Sequence, residues 1–169
     1  MKPIESQVLE TDGRRGLLIS RYCLDVRPYN ECMTDTCWKK CTLRDWLNNK
    51  FMNKAFTTEE QRRILVTSVK NTDYGTKGGE NTEDHVFLLS IQEAGQYFQS
   101  KEAGRTMLTE YAKELGGLEI DDGCLWWLRS PGLNQDDAAN VFSDGEISGD
   151  GIDVDVDVSA VRPAIWIKL

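Results

Sequence analysis

The sequence predicts a single α+β domain, and three observations carry that expectation. Capping signals followed by apolar stripes at helical spacing fill much of the first two thirds. The last third alternates and turns like β-structure. A length of 169 residues with 40% apolar content and five Trp is enough for one sizeable core. Helices are therefore expected in the N-terminal two thirds and a β- and turn-rich C-terminal third, all within one domain spanning 1–169.

In chain order, residues 7–10 and 17–22 form two short strands about Thr11-Asp12-Gly13-Arg14-Arg15-Gly16, because Asp-Gly between apolar runs signals a hairpin. Thr42 followed by Asp45 resembles a capping box ahead of Leu43, Trp46, Leu47 and Phe51, whose spacing puts them on one helical face. Thr57 with Glu60 repeats the device before Ile64 and Leu65. A strand is expected over 66–69. The segment 70–83, KNTDYGTKGGENTE, has almost nothing apolar and reads as an exposed loop. A buried strand over 86–89 precedes a short helix capped by Ser90 and Glu93. A further helix from about residue 104 to 115 stops at Gly116-Gly117. Everything beyond Gly117 reads as strands and turns.

Charge is concentrated in that last part. Between Pro131 and Val161 stand eight acids (Asp136, Asp137, Asp144, Glu146, Asp150, Asp153, Asp155 and Asp157) and no Lys, Arg or His, which accounts for the whole net charge of −8. An apolar frame of Trp126, Trp127 and Leu128 before the insert and Ile165, Trp166 and Ile167 after it is how a scaffold holds a display surface. Asp153, Asp155 and Asp157 alternate with Val154, Val156 and Val158, so the period of two puts three valines toward the core and three carboxylates away from it. Solvated like charges at this spacing repel by about 1 kcal/mol or less per pair, which is tolerable facing water, a cation or a basic partner.

A pI near 4.7 argues against nucleic acid as a partner. No run approaches the roughly 18 apolar residues of a membrane span, and the first residues carry no secretory pattern, so no membrane is expected and the location is cytoplasmic. Five cysteines without a secretion signal favour free thiols. Cys32, Cys37 and Cys41 miss the knuckle spacing of zinc sites, and small buried thiols are expected instead. The lone His85 is expected to hold structure by hydrogen bonding rather than to act as a base. Cys124 follows Asp121-Asp122-Gly123, a poor setting for a low-pKa thiol. Arg129 and Arg162 are expected to satisfy backbone carbonyls or a frame carboxylate such as Asp144. An EF-hand beginning at Asp153 would place Val158 where Gly belongs and Ala164 where Glu belongs, so calcium stands behind two other readings of the acids, a ligand face and a merely solvated face. No cofactor is expected.

The ordered motifs RDWLNNKFMNKAFTTEEQRRIL, NTEDHVFLLSIQEA, WWLRSPG, AANVFSDG and VRPAIWIKL resemble a bacterial family of uncharacterised domains that ends in a WWLRSPG to VRPALWI module. The resemblance runs from about Gln7 to Leu169. That module is similar to the C-type lectin-like fold, shared by formylglycine-generating enzymes and by the variable proteins of diversity-generating retroelements. The resemblance implies a fixed frame and a diversified face over residues 133–159. Its display positions would be Leu133, Asp136, Asp137, Asn140, Phe142, Ser148, Asp150, Ile152, Asp153, Asp155, Asp157 and Ser159. Each of these types is reachable from an Asn codon by changing adenines. The implied activity is recognition of a protein or other surface ligand, basic or neutral, without catalysis. A structural module of a bacterial or phage assembly and a formylglycine-generating-type enzyme are the alternative classes.

Overall fold

The computed structural model describes residues 2–169, and the expected hairpin opens it: β1 (Ser6–Thr11) pairs antiparallel with β2 (Arg15–Ser20). A two-residue strand, β3 (Asp25–Val26), follows. One continuous helical rod then comprises α1 (Thr42–Trp46), a π-helical turn (Leu47–Phe51) and α2 (Met52–Ala55). Leu43, Leu47, Phe51 and Met52 are its buried stripe. The start differs from expectation. Cys41 occupies the cap position with no side-chain bond to the helix, and the Thr42 hydroxyl instead accepts the Glu31 N–H at 3.0 Å, so a tertiary partner takes the oxygen that a capping box would use.

The box at Thr57 and Glu60 does form and starts α3 (Thr58–Arg63). β4 (Thr67–Val69) pairs with β5 (Thr82–Asp84) across the polar loop. Residues Val86, Phe87, Leu88 and Leu89 are buried as expected, but they are an extended connection and not a strand, because their backbone pairing is limited to a single bridge between Phe87 and Ala164 and one bond from the Arg129 N–H to the Leu89 carbonyl. Ser90 and Glu93 close the capping box of α4 (Ile91–Tyr97).

The single helix expected over 104–115 is two, α5 (Lys101–Gly104) and α6 (Glu110–Glu114). The backbone between them is spent on partners far away in sequence: Cys23 N–H donates to Met107 at 3.0 Å, Thr109 N–H to Cys23 at 3.0 Å, and Cys124 N–H to Thr106 at 2.9 Å. The stop at Gly116 holds, in the left-handed region at φ 95°.

The C-terminal part is β6 (Glu119–Ile120), β7 (Gly123–Cys124), β8 (Trp126–Pro131), β9 (Asp137–Val141), β10 (Ile147–Asp153), β11 (Ala160–Val161) and β12 (Ala164–Lys168). The main sheet has the order β10-β9-β8-β11-β3, and a second has the order β1-β2-β12. Every pairing in these two sheets is antiparallel except β8 with β11. The last strand thus completes the sheet begun by the first hairpin, and the chain is a single α+β domain dominated by sheet.

Aromatic side chains fill the middle. Trp38, Trp126, Trp127 and Tyr29 are fully buried, with Tyr29 tilted against Trp38 at 6.1 Å and Trp127 at 5.7 Å. Phe98 meets Trp126 edge-on at 6.0 Å. Trp166 packs on the outer side of the core, half-buried, beneath the Arg15 guanidinium at 4.5 Å. Among the described residues no helix is long and apolar enough to cross a membrane.

Candidate functional site

The acidic insert folds as the β9–β10 hairpin, which forms the edge of the main sheet, together with the turns on either side of it. Backbone pairing decides which expected display residues meet. Asp153 stands opposite Asp137 and Ser148 opposite Asn140 in the ladder, Leu133 N–H donates to Asp150 at 2.7 Å, and Val154 N–H donates to Asp136 at 2.9 Å. Leu133, Asp136, Asp137, Asp150 and Asp153 therefore converge at one end of the hairpin. Asp155 and Asp157 continue from it in a turn, while Phe142 lies toward the opposite end, beside the tight turn at Gly145.

Leu133 and Phe142 are 62% and 42% exposed, and Asp150, Asp153, Asp155 and Asp157 are exposed. Asp136, Asp137, Ser148 and Ile152 are half-buried. Two expected display positions are corrected: Asn140 and Ser159 are both 0% exposed. Asn140 belongs to the central strand β9, which is flanked by β8 and β10 and has Ala138, Ala139 and Val141 buried around it, so both faces of that strand are interior.

The valine alternation is also corrected. Only Val154 is fully buried; Val156 is half-buried and Val158 is 40% exposed, because β10 ends at Asp153 and the period of two ends with it. The carboxylates of Asp153, Asp155 and Asp157 do point outward.

Electrostatically the insert divides in two. Asp144 and Glu146 both pair with Lys101, at 3.2 and 2.8 Å, and the Lys101 ammonium is held above its ordinary pKa by hydrogen bonds first to Glu146 and then to Asp144. Asp136, Asp137, Asp150, Asp153, Asp155 and Asp157 have no ion pair among the described residues. Asp153 is held above its ordinary pKa by partial desolvation, then by the Asp137 carboxyl and the charges of Asp155 and Asp136.

The two arginines beside the insert are structural, as expected, but the carboxylate differs. Arg129 is buried and donates to the Leu88 carbonyl at 2.8 Å, the Lys70 carbonyl at 2.8 Å and Glu93 Oε1 at 3.0 Å, with a second bond to Glu93 Oε2. Asp144 is committed to Lys101 instead. Arg162 donates to the Ser20 carbonyl at 2.9 Å and the Arg21 carbonyl at 3.4 Å. His85 contributes its backbone N–H to Asn48 Oδ1 at 2.8 Å. Of the thiols expected to be buried, Cys41 is buried, Cys37 is half-buried and Cys32 is exposed.

Sequence reasoning missed the neighbours of this face. The loop 70–81 docks on the insert: Thr76 Oγ1 donates to the Gly132 carbonyl at 2.9 Å, and Gln135 bonds Lys77 through both its amide groups while also donating to the Thr36 carbonyl at 2.8 Å. The Tyr74 ring lies over Gly149, where any Cβ would come within 2.4 Å of it, and remains 42% exposed. Tyr74 thus adds an aromatic group to the acidic face. No local signal placed it there, since its partners lie some 60 to 75 residues further along the chain.

The profile of a domain family described as a domain of unknown function (DUF6273) matches residues 14–169. The chain belongs to the DUF6273 family. The match takes in the whole β9–β10 hairpin, its Trp frame and β12, so the acidic face of this DUF6273 domain lies inside the family's own boundaries. No curated protein and no solved structure gives a significant match to the chain.

Proposed function

We propose that this DUF6273 domain is a recognition module that binds a basic or neutral protein surface through its acidic C-terminal face. The observation that carries the reading is the meeting, around one hairpin, of six carboxylates that have no cationic partner among the described residues with the exposed side chains of Leu133 and Tyr74, Phe142 being exposed at the hairpin's other end. Single exposed apolar residues also occur elsewhere on this surface, so it is their placement beside unpaired carboxylates that supports the reading. An interface combines such anchors with charges that steer and orient the partner.

The face comprises Leu133, Asp136, Asp137, Phe142, Ser148, Asp150, Ile152, Asp153, Asp155 and Asp157, joined by Tyr74. The frame of Trp126, Trp127 and Leu128 supports it from a buried strand, which lets surface positions vary at little cost to stability. We read the module from WWLRSPG to VRPAIWI as C-type lectin-like, with display positions open to diversification by a retroelement. That reading rests on the order of the motifs and on the contrast between a buried frame and an exposed insert.

Binding of an oligolysine peptide and of a basic globular protein, measured by calorimetry across a salt series, tests the proposal. Affinity falls as salt rises, and the combined Asp153→Asn, Asp155→Asn, Asp157→Asn variant binds at least about tenfold more weakly with an unchanged or higher melting temperature. Equal binding by the variant and the parent would leave a solvated face. A calcium-dependent rise in melting temperature that the variant lacks would make the carboxylates a metal site.

A further inference from the structure

All five cysteines are free thiols, yet two of them meet. Cys23 and Cys124 are 101 residues apart in sequence, and the Cys124 Sγ–H points at Cys23 Sγ across 3.4 Å. Both are buried, and the same segment holds both in place, Cys23 through Met107 and Thr109 and Cys124 through Thr106.

The surroundings give this pair a counter-charge. Arg162 stacks on Trp126 at 5.0 Å and Phe98 at 5.1 Å, and its Nη1 is buried without a hydrogen-bond partner. Among the described residues no carboxylate pairs with it. Burial pushes its pKa down, and its attraction to the sulfurs of Cys23 and Cys124 pushes it back up. A buried guanidinium with two carbonyl partners but no counter-ion is costly, and a nearby thiolate would supply the missing anion.

The β6–β7 hairpin supplies a way in. Cys124 is the last residue of β7, and the two-residue turn between these strands puts both Asp121 and Asp122 in the left-handed region, at φ 49° and 61°. A turn of this type prefers Asn or Asp followed by Gly, so the second aspartate is strained. Leu118 just ahead of β6 and Ile120 within it are exposed, so these two side chains add no apolar contact that would resist opening, although Gly123 and Cys124 are buried.

We infer that Cys23 and Cys124 form an intramolecular disulfide when the protein meets a small-molecule disulfide, with opening of the β6–β7 hairpin admitting the oxidant. In the open state Cys124 loses its proton to solvent, and its thiolate attacks one sulfur of the small disulfide, releasing the other as a thiol after protonation. While the hairpin is still open, Cys23 loses its proton to solvent beside the Arg162 guanidinium, and its thiolate attacks the Cys124 sulfur and expels the second small thiol, after which the hairpin closes. Two protein thiols are oxidised, one small disulfide is reduced to two thiols, and the sulfurs close from 3.4 Å to about 2.05 Å. In the closed reduced state burial, followed by the neighbouring Cys124, holds Cys23 well above the ordinary thiol range, which keeps the pair inert until the hairpin opens. The bond would clamp the chain just ahead of β8, the strand that carries the display frame.

The test incubates the folded full chain carrying Cys32→Ser and Cys37→Ser with oxidised glutathione, then unfolds it, alkylates it and maps its peptides without reduction. The expected result is a fall from three free thiols to one, a linked peptide pair joining Cys23 to Cys124, and a higher melting temperature that dithiothreitol reverses. Recovery of Cys23 and Cys124 as alkylated thiols, or of Cys124 stably joined to glutathione, would overturn the inference. Peptide mapping of the natural chain separates the same outcomes if that variant does not fold.

Discussion

Asp153 stands directly opposite Asp137 in the antiparallel ladder of β9 and β10, so two like charges face each other across the hairpin that forms the acidic edge. Like charges in register oppose pairing. Asp137 relieves part of the cost by accepting from the Asn134 backbone and side-chain amides at 3.2 and 3.0 Å, whereas Asp153 has no cation to offset it. The domain keeps an unfavourable like-charge pair on its surface, and on the proposed function that pair belongs to the binding face.

Asp153→Asn should therefore raise the melting temperature at neutral pH. The folded state holds the Asp153 pKa above its unfolded value, so this group's contribution to stability is fully present below the unfolded value and is lost as pH rises through the folded one. The advantage of the Asn variant should shrink to nothing as pH falls below the carboxylate range near about 4. Parallel thermal melts of the two proteins between about pH 3 and pH 8 check that the curves converge at low pH.

The two ends of the tryptophan frame should respond differently to truncation. Trp127 is fully buried and donates its indole N–H to the Arg27 carbonyl at 2.9 Å, so Trp127→Ala should cost about 3 to 5 kcal/mol. Trp166 is half-buried under Arg15, and Trp166→Ala should cost about 1 to 2 kcal/mol. Urea unfolding of both variants would expose an error in this assignment of inside and outside if the order were reversed.

Glu93 has two jobs, capping α4 by accepting the Ser90 N–H at 2.8 Å and neutralising buried Arg129. Glu93→Ala removes both and strands a buried guanidinium, so it should cost about 3 kcal/mol or more. Glu93→Gln keeps an oxygen for the cap and should lose less. Equal destabilisation of the two variants in chemical denaturation would show that the cap contributes nothing.

Gly145 should not tolerate a side chain. It sits at φ 91° in the turn between β9 and β10, and a Cβ there would come within 1.7 Å of the Lys101 carbonyl. Gly145→Ala should prevent folding or displace α5, which would also release Asp144 and Glu146 from Lys101. Gly13→Ala is the control: φ is 84° but the space is open, so only the backbone cost of about 1 to 2 kcal/mol applies. Circular dichroism and melting temperature separate the two cases.

What the sequence determined by itself was local. The capping boxes at Thr57 and Ser90, the first hairpin, the helix stop at Gly116, the burial of Trp126, Trp127 and Leu128 and the outward aspartates were all legible, because each depends on residues within a few positions of one another. Tertiary structure decided the rest. Thr42 gave its oxygen to Glu31, and residues 105–109 left the helical path to pair with Cys23 and Cys124. Asn140, a display position by the resemblance, became interior, because its strand β9 is flanked by strands on both sides and buried on both faces. Tyr74 joined the acidic face, Glu93 rather than Asp144 became the partner of Arg129, and Cys124 came to face Cys23, all through contacts that span tens of residues. Periodicity and capping report a residue's near neighbours, whereas which distant groups meet is set only when the sheets close around a shared core.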